Sequence, residues 1–217
     1  RWARAIEIRP KTVAGRKIIH HAIARLVQEE PDAQLRQANQ DNPAAGIADR
    51  SRSAGTFMEW AVGKQGEVMR PGSGKLMMPG SEILWDIHIA SAGEEVTDSV
   101  ELGVYLYPEN EPPEHRQVLH LMGTGQMDIP PNSFAMTEGF FPLQRAARIE
   151  SYQPHMHLRG TAMSLEAVLP SGRRQLLSHV GDFNFNWHNS YVYTDDAAPL
   201  LPKGTLMKVT AWYDNTA

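Results

Sequence analysis

Hydrophobic and polar positions alternate with period two along several stretches of the chain. Val100, Leu102, Val104 and Leu106 alternate with Glu101, Gly103 and Tyr105, the pattern of a half-buried strand. Met163, Leu165 and Ala167 repeat it. Pro170-Ser171-Gly172-Arg173 then supplies a turn and Gln175-Leu176-Leu177 returns, so a hairpin is predicted. Met207, Val209, Ala211 and Tyr213 fall on one face of a further strand. Across residues 83–89, Trp85, Ile87 and Ile89 share one face and are expected to enter a core, while Asp86 and His88 share the other. Gly and Pro, 17 and 15 in number, separate these short runs, which argues for strands joined by turns rather than for helices. The prediction is an all-β fold of antiparallel β-sandwich architecture.

Two stretches interrupt the pattern. Residues 28–53 are polar, carry Pro31 and Pro43, and read as a long loop with one short helix near 33–40. Residues 108–114 hold three prolines and form a second loop, and Ile129-Pro130-Pro131-Asn132 marks a turn. A chain of 217 residues accommodates two sandwiches of similar size, expected over residues 1–118 and 119–217. It begins at Arg1 without a signal-peptide pattern and stops just after a strand-like run, so a fragment trimmed at both ends is expected.

Composition narrows the chemistry. Charged residues make up 21% of the chain, with both signs interspersed and a net charge of −4. That balance makes no case for nucleic acid or an anionic membrane surface. No apolar run approaches the length of a membrane span. There is no cysteine, which removes blue-copper sites, iron–sulfur clusters, thiolate zinc sites, c-type haem attachment and disulfides. Nine histidines and ten methionines remain. Imidazole and thioether together suit copper, and thioether favours Cu(I).

Three groups of histidines have spacings relevant to metal binding. His155 and His157 flank Met156, and on a strand residues i and i+2 point to one face. They either grip one ion or stand as two exposed polar residues. His88 shares its face with Asp86, so it is either a ligand with Asp86 as an outer-shell or rim group, or simply the hydrogen-bond partner of that carboxylate. His20 and His21 are adjacent, and adjacent residues of a regular strand face opposite ways. Both reach one ion only at a strand end, a bulge or a turn, and by geometry alone one of them is better read as structural. His115, His120, His179 and His188 show no comparable pattern, although His188 ends an aromatic-rich segment from Phe183 suited to lining a pocket or capping the sandwich.

In this order, His20-His21, His88 in an apolar strand, and His155-x-His157 followed by Leu158 and Gly160 resemble the copper type II, ascorbate-dependent monooxygenases. This is the family of peptidylglycine hydroxylating monooxygenase and dopamine β-hydroxylase, and the chain looks closest to their bacterial relatives. Leu76-Met77-Met78-Pro79-Gly80-Ser81, Ile129-Pro130-Pro131-Asn132, and Leu201-Pro202-Lys203-Gly204-Thr205 leading to Asp214-Asn215 add to the resemblance, which runs from about Ala5 onward. It implies two consecutive jelly-roll-like sandwiches, each holding one copper, facing each other across an open cleft. His20, His21 and His88 would hold the copper that handles electrons. His155 and His157 would be the catalytic pair at the copper where dioxygen is activated. The family's third ligand there is a methionine beyond the segment matching Asp214-Asn215. Met207 is an available thioether but matches an ordinary strand position.

The implied activity is hydroxylation of a C–H bond in a small organic or peptide substrate. Dioxygen and an external electron donor, ascorbate or a cytochrome, would be consumed, and the expected location is periplasmic or extracellular in a bacterium. The chain departs from the family in two ways. It lacks the disulfides of animal members, and it has Asp86 where they have Gln, a charge that should favour the oxidised state of the first copper. Two other functions stay open: a non-catalytic copper-binding or electron-transfer protein within a larger periplasmic assembly, and an interaction module whose histidines are surface groups. Zinc is a variant of the metal reading, since imidazoles accept either ion.

Overall fold

The alternating runs of the sequence become strands. Strand accounts for 51% of the described residues and helix for 2%, so the protein is all-β, built from several antiparallel sheets. The computed structural model describes residues 1–30, 53–61, 64–123, 127–185 and 189–216. The helix expected near 33–40 lies outside them. Among the described residues no helix is long and apolar enough to cross a membrane. The chain divides into two compact units, Arg1–Leu121 and Met122–Ala217.

The first unit contains β1 (Trp2–Pro10), the short α1 (Gly15–Ile18), β2 (Ile19–Gln28), β3 (Ser53–Ala61), β4 (Glu67–Val68), β5 (Ser73–Leu76), β6 (Glu82–Ile89), β7 (Val100–Leu106) and β8 (His115–Arg116). One sheet centres on β1, which pairs antiparallel with β7 on one side and with β4 and β5 on the other. The second sheet has the order β3-β2-β6. Both contribute to one core. Ile6 and Ile8 of β1 meet Ala22, Ala24 and Leu26 of β2 and Phe57, Met58 and Trp60 of β3, all buried, with the apolar positions of β7 half-buried against them. Removing these side chains from water is the main stabilising term, at about 25 cal/mol per Å². Two buried polar side chains tie this interior to the first sheet. Lys75 of β5 donates to the carbonyl of Phe57 on β3 at 2.6 Å. Gln28 of β2 donates to the Leu76 carbonyl and accepts from the Met78 amide.

The expectation for β6 needs one correction. Ile83 and Trp85 pack on the core, but Ile87 and Ile89 are 39% and 61% exposed. β6 is an edge strand of its sheet, and its last residues run past the core that covers its first half.

The turn into β2 is held by Asp98. Its carboxylate accepts from the Thr12 amide at 3.1 Å, and the Thr12 hydroxyl accepts from the Gly15 amide. Gly15 is required for a steric reason, because a Cβ there would overlap the Asp98 carboxylate. Gly15→Ala is expected to displace Asp98 and lower stability by about 1–3 kcal/mol, as overpacking does. Chemical denaturation measures the loss, and hydrogen exchange should localise it to the start of β2.

The second unit holds β9 (Ser133–Pro142), β10 (Ala147–Arg148), β11 (Ser151–Tyr152), β12 (Gly160–Val168), β13 (Arg174–Val180), β14 (Tyr191–Val192), β15 (Leu200–Leu201) and β16 (Leu206–Asn215). Its main sheet has the order β13-β12-β16-β9, with the short ladders β10–β15 and β11–β14 beside it. The predicted hairpin joins β12 to β13, closed by Gly172 donating to Leu169 at 2.8 Å and opened to the left-handed region by Gly172 at φ 83°. Met163, Leu165 and Ala167 are buried, as are Met207, Val209, Ala211 and Tyr213. Asn132, at φ 55°, turns the chain into β9, and the Asn215 amide donates to the Ile129 and Pro130 carbonyls, fastening this turn to the end of β16.

Candidate metal centre

Local irregularity in β2 brings His20 and His21 together. In the β2–β6 ladder His21 faces His88, and Ala22, Ile23 and Ala24 face Ile87, Asp86 and Trp85 in regular register. The register shifts by one between Ile19 and His21, so His20 is the extra residue of a β-bulge. The bulge cancels the alternation that would otherwise send the two imidazoles to opposite faces. Nδ1 of His20 lies 3.2 Å from Nδ1 of His21. Ring centroids are 5.4 Å apart for His20–His21, 5.4 Å for His20–His88 and 4.9 Å for His21–His88.

These spacings suit one ion. Two imidazole nitrogens each about 2.0–2.1 Å from a tetrahedral ion are about 3.3 Å apart, and their ring centroids about 5.2 Å apart. One donor atom from each of the three histidines falls within 4.8 Å of the others, so modest rotation closes the set on an ion. Burial, then the neighbouring His88 and His20 imidazoles, push the His21 pKa below its ordinary 6.5, with Glu59 and Asp86 acting in the opposite sense. The neutral ring, which has the lone pair a metal needs, is therefore favoured.

The surroundings include two residues that sequence reading passed over. Glu59 of β3 lies opposite Ile23, close enough to act on His21. Arg25 of β2 is buried, and its Nη2 lies 3.3 Å from Oδ2 of Asp86. The negative charge expected at Asp86 is thus offset by a cation. The signal for Arg25 was present as one arginine inside the apolar run from Ala22 to Val27.

His155 and His157 are not on a strand, contrary to expectation. They lie between β11 and β12. Pro154 has no N–H for a ladder, and the chain turns directly after His157, with the Gly160 amide donating to the His157 carbonyl at 2.9 Å. The alternation nevertheless holds. Both histidines are exposed and Met156 between them is 3% exposed, packed in the core of this unit. Gly160 makes room for it, since a Cβ there would stand 2.8 Å from the Met156 sulfur. The His155 and His157 centroids are 5.3 Å apart, the same range as in the three-histidine cluster. Phe185 packs edge-on against His157 at 5.9 Å.

Met207 lies mid-strand in β16, opposite Ala167 and Phe141, and is 2% exposed. Its surroundings are those of a core side chain. His115 is exposed beside Glu114, and His179 packs against Trp212. His188 lies outside the described residues. No family model matches the chain, and no curated protein matches it either.

Proposed function

We propose that the chain is a copper-dependent monooxygenase, hydroxylating a C–H bond with dioxygen and an external electron donor. The observation that supports this reading best is a pair of imidazole clusters, one in each unit, both with ring spacings that suit a single ion. Donor chemistry is compatible with copper, since both clusters offer imidazole and the chain has no thiolate. When bound, copper would supply one-electron redox chemistry and the activation of dioxygen. His20, His21 and His88 would hold the electron-handling ion in a half-buried setting. His155 and His157, on an exposed loop, would hold the second ion and leave positions open to dioxygen and substrate. The buried Met156 and the edge contact from Phe185 would fix the direction in which those two rings point. The donor is ascorbate or a cytochrome, the substrate a small organic molecule or peptide, and the location periplasmic or extracellular. With copper, reductant and oxygen, the parent is expected to form a hydroxylated product, and His157→Ala to form none. Product formed at the parental rate by His157→Ala would remove this assignment.

A second reading is a non-catalytic copper-binding or electron-transfer protein in a larger periplasmic assembly. It is favoured by the burial of Met207, which leaves two imidazoles as the candidate ligands of the second site. Copper content per chain separates the readings. About two ions in the parent, with one lost in His88→Ala and one in His157→Ala, supports the enzyme. One ion, lost only with His88→Ala, supports the carrier.

A further inference from the structure

We infer that Arg25 is a positioning residue that holds the Asp86 carboxylate away from the ion bound by His20, His21 and His88, keeping that site all-imidazole. The inference rests on the metal reading of the three histidines. Its starting point is the outer face of the β2–β6 ladder, where His21 faces His88, Ile23 faces Asp86 and Arg25 faces Leu84. Asp86 is therefore the next side chain beyond His88 on the same face, about 7 Å along the strand, and its charge is felt at His21. A carboxylate so placed is an apt fourth ligand for a three-imidazole site, since such sites accept oxygen donors. Its oxygens nevertheless stand outside the set of donor atoms that lie within 4.8 Å of one another.

The reason lies in Arg25. Its side chain is 6% exposed, while that of Asp86 is 51% exposed. Nη2 is 3.3 Å from Oδ2 of Asp86, and the buried Nη1 has no hydrogen-bond partner among the described residues. The guanidinium is already short of acceptors. If Asp86 swung to the ion, it would leave a buried cation without its counter-charge, one of the costlier events in a protein interior. Asp86 is half-exposed, so its partner Arg25 is what retains it. The consequence is redox-related, because a neutral imidazole set tolerates Cu(I), whereas an anionic oxygen ligand would favour Cu(II).

The test uses the full chain carrying His155→Ala and His157→Ala, so that only the N-terminal cluster binds, with Co²⁺ and copper as probes. Arg25→Leu is expected to bind Co²⁺ about tenfold more tightly and to shift its visible absorption. It is also expected to lower the copper potential by about 59 mV, the equivalent of tenfold for one electron. Arg25→Lys should behave as the parent. Adding Asp86→Asn to Arg25→Leu should restore the parental spectrum and affinity, which lost packing at Arg25 could not do. A spectrum and affinity unchanged in Arg25→Leu, or a shift that persists in the double variant, would overturn the inference while leaving the metal site standing. If the parent cluster binds neither probe, the metal reading fails and the inference fails with it. Should Arg25→Leu not fold by circular dichroism, Asp86→Asn alone decides. An unchanged Co²⁺ spectrum supports a carboxylate outside the coordination sphere, and a changed one places it inside and refutes the inference.

Discussion

His21→Ala is expected to cost the chain one copper, with affinity at the N-terminal cluster falling by about 100-fold or more. His21 is the member best placed to organise this cluster. It sits opposite both His88 on β6 and Ala61 on β3, inside a three-stranded sheet, so its backbone is fixed from two sides. Its ring is 4.9 Å from that of His88, and its Nδ1 is 3.2 Å from that of His20. Without it, the remaining rings are a bulge residue and an exposed edge-strand residue whose centroids are 5.4 Å apart. Two imidazoles held this loosely should compete poorly with a chelator. The substitution leaves both ladders intact, so circular dichroism and the melting transition of the apo chain should stay close to the parent. His179→Ala, outside either cluster, is the matched control and should leave copper content unchanged. Elemental analysis after dialysis against a weak chelator reads the result. Full copper retention by His21→Ala would show that the three-histidine cluster is not the binding site.

Where a strand has one apolar and one polar face, the sequence was sufficient to place it. Val100 to Leu106 became β7, the Pro170–Arg173 turn became the β12–β13 hairpin, and Met207 to Tyr213 became the buried face of β16. Period two identifies the faces of a strand but not how far a core extends beneath it, which is why Ile87 and Ile89 were misplaced. The clusters show the same division. The i, i+2 relation of His155 and His157 was legible, with Met156 directed away from them, but its burial in the core of its unit is a finding of the structure. Whether that segment belongs to a ladder depends on a neighbouring strand, which local pattern does not specify. For His20 and His21 the parity of a regular strand argued against a shared ion. What joins them is a bulge created by pairing with β6, a non-local event. Arg25 stands out in its apolar run, but its partner is 61 residues away, so the chemistry of the pair was invisible before the fold was known.

Lys75→Met is expected to destabilise the first unit by about 2–4 kcal/mol at neutral pH. Lys75 is a buried cation with two duties. It donates to the Phe57 carbonyl at 2.6 Å and to Glu67 at 2.8 Å, and its side chain is 7% exposed. Methionine fills the space but leaves the carbonyl unsatisfied and strips Glu67 of its nearer counter-charge. Lys64, 3.0 Å from Glu67, and the 25% exposure of Glu67 bring the loss somewhat below that of a fully buried broken pair. The pH dependence identifies the cause. In the parent, burial alone would raise the Glu67 pKa, but Lys75 and then Lys64 outweigh it and hold the group below its ordinary 4.5. A carboxylate with a depressed folded pKa contributes stability above its unfolded value, and that stability is lost as pH falls through the folded one. Without Lys75 the burial cost gains weight and the folded pKa rises. Parent and variant should therefore differ most near neutrality and converge as pH drops below about 4.5. Hydrogen exchange of β3 and β5 amides across this range reports on the first unit alone. Adding Glu67→Gln should recover part of the loss at neutral pH, because a neutral amide needs no counter-charge. A deficit that neither narrows in acid nor responds to Glu67→Gln would trace the effect to packing and the Phe57 carbonyl instead of the ion pair.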